Sequence, residues 1–245
     1  SFVLKTLDVI FLLKPLEHLF NKQTLTRFEH LFKLQLNKCS NYSFIDVNAM
    51  KYDRALAIEK ATQLFWKLGF QATKMRDLQE ELDMRPGSIY AAFGNKEALF
   101  ETCLINYAEQ SRTALEDYSA RNTNPINALY EFIKHVAVKE TNGRVHNCFL
   151  VKSISELDGN NMHLRQLAQQ GVKEIEEGFA QLLACAQEQG LLKAESNTER
   201  LAKWMQIQVM GLRSYSNSQD NANDVGIMLD EIFNSLKQAH QPALS

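Results

Sequence analysis

The stretch Thr73-Lys74-Met75-Arg76-Asp77-Leu78-Gln79-Glu80-Glu81-Leu82-Asp83-Met84-Arg85-Pro86-Gly87-Ser88-Ile89-Tyr90-Ala91-Ala92-Phe93-Gly94-Asn95 decides the fold. Met75, Leu78 and Leu82 recur at spacings of three and four, the period of a helix with one apolar face. Thr73 is the expected N-cap, because its hydroxyl can take up an orphan backbone N–H. Asp83-Met84-Arg85 interrupts the pattern. Pro86 then stands where a helix can begin, since its fixed φ suits the first turn and the N–H it lacks would be unused there. Ile89 and Phe93 continue this second helix, and Gly94-Asn95 ends it. Two helices of roughly nine and eight residues around so short a turn make a helix-turn-helix.

That geometry makes demands on side chains. The first helix of the pair crosses a DNA backbone, and the second lies in the major groove with its first turn toward the base edges. The second helix therefore needs small, polar or basic residues on one side and apolar ones on the other. Arg85, Gly87, Ser88 and Tyr90 can face outward while Ile89 and Phe93 face a core.

Upstream, Ala57, Ile58, Ala61, Leu64, Phe65 and Leu68 form an apolar stripe on a helix expected from Asp53, and Gly69 suits its left-handed end. Downstream, Asn95 can cap a long helix from Lys96 to about Ala120. Further helices are expected near 126–140, 149–157, 162–189, 198–215 (capped by Thr198) and 224–239. Asn122–Pro125, Thr141–Gly143, Asp158–Asn160, Gly190 and Ser216–Asn223 separate them. No strand pattern or repeat intervenes, so the class is all-α: a helix-turn-helix domain over 50–100 and a larger helical domain over 101–245. Residues 1–49 are rich in Phe and carry a loose helical pattern. They read either as a helical extension packed on the body or as an upstream stretch outside the functional protein.

Composition agrees. With 45% hydrophobic residues the chain can bury a core, and 4 Pro and 10 Gly favour long helices over a turn-rich β fold. The net charge of −2 does not announce a nucleic-acid binder, but it is unevenly spread. Residues 50–100 are close to neutral and slightly basic, whereas 101–245 are acidic, as expected of a small DNA-reading head on a different kind of body. The four cysteines have neither CxxC nor zinc spacing, and the expectation is reduced thiols in a cytoplasmic protein. The run Val9–Leu13 is far shorter than the ~18 apolar residues a membrane span needs. It has no basic start before it and no convincing cleavage site after it, so no membrane partner is expected.

Three blocks, Gly69-Phe70-Gln71-Ala72-Thr73, Arg76-Asp77-Leu78 and Gly87-Ser88-Ile89-Tyr90-Ala91-Ala92-Phe93-Gly94-Asn95-Lys96-Glu97-Ala98-Leu99-Phe100, resemble the DNA-binding domain of TetR-family regulators. The resemblance implies a three-helix head, a helical ligand-binding body and a homodimer on double-stranded operator DNA. By position it carries the DNA-contacting places to Thr73, Arg85, Gly87, Ser88, Tyr90 and Lys96. Thr73, Tyr90 and Lys96 would hold phosphates, Arg85 and Ser88 would reach base edges, and Gly87 would allow close backbone approach. Two positions depart from the pattern. Asp83 stands where Gly is usual, and Arg85-Pro86 replaces a small cap and a polar residue. Asp tolerates the left-handed region, so the turn survives. Operator sequence is beyond analogy.

In the body, no catalytic constellation, P-loop or metal cluster is evident, so neither an enzyme nor a cofactor is expected. A small-molecule effector pocket should lie among the middle helices. Tyr107, Phe132, Val136, Phe149, Phe179 and Trp204 are its candidate lining, each also readable as plain core. Association is expected through the last two helices, with Trp204, Val209, Leu212, Met228, Ile232 and Phe233 as candidates. Two rivals stay open. Cys148, near Arg144 and His146 and just before a helix, could sense oxidants or electrophiles. Alternatively, the head could have lost DNA reading in a helical interaction protein, for which Asp83 and the weak charge of the head speak.

Overall fold

The computed structural model describes residues 47–138, 147–157, 159–218 and 222–240, with the backbone alone at 47–53 and 222–223. From Lys51 on, the described residues make one compact unit. The helices are α1 (Val47–Leu68), α2 (Met75–Leu82), α3 (Pro86–Phe93), α4 (Lys96–Arg121), α5 (Pro125–Ala137), α6 (Phe149–Glu156), α7 (Met162–Glu188), α8 (Thr198–Ser218) and α9 (Ala222–His240), with a short 3-10 turn at Gly159–Asn161. There is no strand among the described residues, and the all-α expectation holds.

The boundaries follow local chemistry. Gly69 takes φ 85°, and its N–H donates to the Phe65 carbonyl, which closes α1. Asp83 adopts φ 52° and ψ 43°, so the left-handed turn is kept without glycine. Pro86 opens α3, and the Asn95 side chain accepts from the Ala98 N–H to cap α4 at 2.7 Å. Two caps sit one residue from their expected places. Lys74 rather than Thr73 is the N-cap of α2, its N–H held by the Asp77 carboxylate at 2.8 Å. At the start of α8, Asn197 rather than Thr198 accepts from the Arg200 N–H at 2.8 Å. The first helix begins at Val47 rather than Asp53. The fifth ends at Ala137, with Val138 as its cap. Glu140, its expected end, the break at Thr141–Gly143 and the extension at 1–46 lie outside the described residues.

The head is α1 to α3 on the first turns of α4. Ala61, Phe65, Leu78, Ile89, Leu99 and Phe100 are its buried centre. Arg54 ties α1 to the end of α3 by donating to the Ala92 carbonyl at 2.6 Å and lying 4.7 Å over the Phe93 ring. In the body, α7 is the central helix, packed by α4, α5, α6 and α8. Gly171 allows the close approach: a Cβ there would stand 3.0 Å from Leu150 Cδ1 and 3.1 Å from Ala108 Cβ, at the meeting of α4, α6 and α7. Helix α9 closes the other side, with Tyr130 donating to Asp230 at 2.7 Å and its ring edge-on to Phe233.

Candidate nucleic-acid interface

Helix α3 is split lengthwise. Ile89 is fully buried and Phe93 nearly so, while Arg85, Gly87, Ser88, Tyr90 and Ala91 are exposed. Tyr90 keeps 51% of its surface open, a large share for an aromatic residue with no structural partner to cover it. Arg85 is the N-cap residue, in extended conformation, and contributes its carbonyl to the first turn through the Ser88 and Ile89 N–H groups. Its side chain is therefore free of the capping task. At Gly87 a Cβ would meet nothing within 4 Å, so space rather than packing surrounds that backbone.

Thr73 and Lys96 are placed differently from Arg85, Gly87, Ser88 and Tyr90. Thr73 is 1% exposed, and its hydroxyl donates to the Gly69 carbonyl at 2.6 Å. Lys96 is half-buried: its Nζ donates to the Phe70 and Thr73 carbonyls, both at 3.0 Å, and lies 4.4 Å over the Phe70 ring. Desolvation lowers the pKa of its ammonium. Together the two residues brace the loop between α1 and α2 against α4. Sequence reasoning passed over Lys74, an exposed cation at the N-terminus of α2 beside this loop. Its signal was its place next to the expected cap. Asp83 is exposed in the turn.

Behind the head lies an aromatic joint. Phe65 and Phe70 of the head pack on Phe100 at 4.8 and 4.7 Å, and Phe100 on Phe149 at 5.6 Å. Trp66 meets Tyr107 at 5.3 Å and Phe149 at 5.8 Å, and donates from Nε1 to the Asn147 carbonyl at 2.7 Å. The Lys152 ammonium donates to the Trp66 carbonyl. Helix α6 and the residue Asn147 before it thus grip the end of α1 by rings and by side-chain bonds to backbone carbonyls.

The six candidate lining residues fall into separate contact groups among the described residues. Tyr107 and Phe149 touch at 5.7 Å in the joint. Phe132 and Phe179 pack edge-to-face at 5.9 Å deeper in the body, and Val136 is half-buried on α5. Trp204 lines a separate cavity of about 610 Å³ between residues 193–197, α8 and α9. Sequence reasoning missed Arg213, whose Nη1 lies 3.5 Å from the Tyr107 hydroxyl. Burial, then the neighbouring Cys148, pushes that hydroxyl's pKa far up. It also missed Gln206, buried with an Oε1 that has no partner among the described residues. Among the thiols, burial pushes Cys103 up to about 12, while Cys148 is 8% exposed at the start of α6. Arg144 and His146 lie outside the described residues.

Of the six candidate association residues, Val209, Leu212 and Phe233 are buried in this chain's own core. Trp204, Met228 and Ile232 are half-buried. The large apolar side chains that α8 and α9 leave open are Ile207 (64%), Ile227 (59%) and Tyr215 (38%).

Comparison with known proteins decides the family. Residues 57–103 match the model for the bacterial regulatory proteins of the tetR family, and residues 125–226 match the C-terminal domain model of tetracyclin repressor-like proteins. The chain belongs to the TetR family of DNA-binding transcriptional regulators. Within that family it is 25% identical over 166 residues to the HTH-type transcriptional repressor ComR of Escherichia coli, covering 66% of this chain and 78% of ComR. It is 29% identical over 163 residues to the regulator TtgR of Pseudomonas putida, covering 65% of this chain and 77% of TtgR. A TetR regulator from Chloroflexus aurantiacus superposes with a TM-score of 0.70 at 20% identity, over 80% of this chain and all of that one. A cysteine mutant of the TetR-family regulator CifR, solved with 26-bp double-strand operator DNA, superposes at 0.67 and 20% identity, over 73% of this chain and 94% of that one. At these identities the two structures show that the fold is shared. No helix among the described residues is long and apolar enough to cross a membrane.

Proposed function

We propose that this TetR-family protein is a repressor that binds double-stranded operator DNA as a homodimer and is released by a small-molecule effector held in its body. The split face of α3 carries the reading. An exposed row of Arg85, Gly87, Ser88 and Tyr90 stands on a buried footing of Ile89 and Phe93, so the row is rigidly held yet uncommitted. Arg85 and Ser88 take base edges, where a guanidinium fork suits guanine. Tyr90 and Lys74 take phosphates, and open space at Gly87 lets the backbone approach. Lys96 spends two of its three donors on the loop, leaving one for a phosphate. Thr73 contributes by holding that loop. That ComR is named a repressor, and that CifR was solved on operator DNA, supports the same reading.

Association in this proposal uses Ile207, Tyr215 and Ile227, with half-buried Met228 and Ile232 beside them, while Trp204 faces the cavity. An apolar patch joined across two neighbouring helices is what marks a protein interface, and these side chains are its proposed members. A two-fold dimer presents two α3 helices to successive major grooves, ~34 Å apart. The aromatic joint gives the effector its lever. A ligand that favours one arrangement of α6 and α4 shifts α1 with it, by no more than its differential affinity for the two states. One observation favours a second reading of the trigger: Cys148 stands beside Tyr107 and Arg213 in the same joint. Retention of oxidant-induced DNA release in Cys148→Ser would eliminate it.

Selection of bound fragments from sheared genomic DNA tests the main proposal. The expected product is a small set of fragments sharing an inverted repeat whose half-sites are about one helical turn apart. Fragments without a shared sequence would contradict it.

A further inference from the structure

Helix α7 starts beside the first turns of α4, where His163 Nε2 lies 3.5 Å from Glu101, and runs for 27 residues. At ~1.5 Å per residue its far end is roughly 40 Å from the head. There, residues 193–197, the first turns of α8 and the last turn of α9 line a half-open cavity of about 610 Å³. That size falls in the range of ~300–1,000 Å³ typical of small-molecule sites. Its lining includes apolar Leu201, Trp204 and Leu236. The rest is largely polar, and its hydrogen bonding is uneven. The acceptors at the end of α9 are already taken, Ala239 O by Lys193 Nζ at 3.0 Å and His240 O by the Lys193 N–H at 2.7 Å. Ser196 Oγ and His240 Nδ1 satisfy each other at 3.0 Å. Besides the Glu195 carboxylate and the Ser235 hydroxyl, the lining holds two side-chain donors with no partner among the described residues, the Arg200 guanidinium and Trp204 Nε1. Glu195 is the one acid in the lining, against Lys193 and Arg200.

We propose that this cavity binds a small aromatic carboxylate, with its ring on the Trp204 indole and its carboxylate on the Arg200 guanidinium. A surplus of donors and positive charge calls for an anionic acceptor, and the guanidinium fork matches a carboxylate in a way that a point cation does not. A flat ring gains most against an indole face. The site is distinct from the interior around Tyr107 and Arg213, although α8 carries residues of both. Only its regulatory consequence, not the binding itself, rests on the repressor reading.

Isothermal titration calorimetry on the full chain tests this, with 2-naphthoate as the probe and 2-naphthamide as its uncharged counterpart. The expected result is saturable binding of one naphthoate per chain, with the amide at least about ten-fold weaker. Arg200→Gln should weaken naphthoate by about ten-fold or more without changing the thermal melt, and Tyr107→Phe should leave it unchanged. Absence of saturable binding, equal affinities for acid and amide, or a loss in Tyr107→Phe that Arg200→Gln does not share would each overturn the site. DNA binding measured on the same samples reports separately on operator reading, so a failure of one is not mistaken for a failure of the other.

Discussion

Helices α3 and α6 have the same length, 8 residues each, and opposite situations. Helix α3 buries Ile89 and Phe93 and leaves its polar row open; α6 buries Phe149, Leu150 and Ser153, half-buries Val151, Lys152 and Ile154, and leaves only Ser155 and Glu156 exposed. The first has its bonding capacity left over for something outside the chain. The second has spent it inside, on Trp66, Tyr107 and Phe100. A short helix is too weak to stand alone, so each is held by packing rather than by propensity. What differs is whether the unpacked side is finished by the protein or left to a partner.

Substitutions can break or sharpen that contrast. The largest effect is expected at Phe149→Ala, which empties a buried site at the joint and should cost about 3–5 kcal/mol in chemical denaturation. Ile89→Ala should follow at roughly 2–5 kcal/mol, with DNA affinity lost alongside stability because the reading row loses its footing. Arg85→Ala should leave stability unchanged and weaken specific DNA binding by about 1–3 kcal/mol. If its melting temperature fell as far as that of Ile89→Ala, Arg85 would be a structural residue and the contrast would fail. Smallest is Trp66→Phe, which keeps a ring but removes the bond to the Asn147 carbonyl. It should cost on the order of 1 kcal/mol and change how ligand and DNA affinity are coupled, read by titrating DNA with and without effector.

The head was largely legible in the sequence, because its signals are local. Gly69, Pro86 and Asn95 act on the backbone within a turn of themselves, and the face of α3 follows from the spacing of Ile89 and Phe93. Thr73 shows the limit. Its hydroxyl could cap α2 or turn back on Gly69, and the choice depends on Lys96 pulling the loop inward from 23 residues away. The body was legible as helices but not as a site. Phe132, Phe149 and Trp204 look alike in a helical pattern, and only packing sends them to three different places. Arg213 and Gln206 sit on the buried side of α8, where tertiary contacts rather than periodicity set their surroundings. Likewise Val209, Leu212 and Phe233 could have faced a partner until the chain's own core claimed them, leaving Ile207, Tyr215 and Ile227 outside.

The proposed function turns on whether α3 reads DNA sequence. Fluorescence anisotropy of the full chain on DNA from upstream of its own gene and on the fragments selected from the genome, against a scrambled duplex and across a salt series, addresses it most directly. Tight binding to at least one of these is expected, weakening as salt rises, exceeding scrambled DNA by about 10³-fold or more, and losing that preference in Arg85→Ala. Equal binding to every sequence, with Arg85→Ala indistinguishable from the parent, would contradict it.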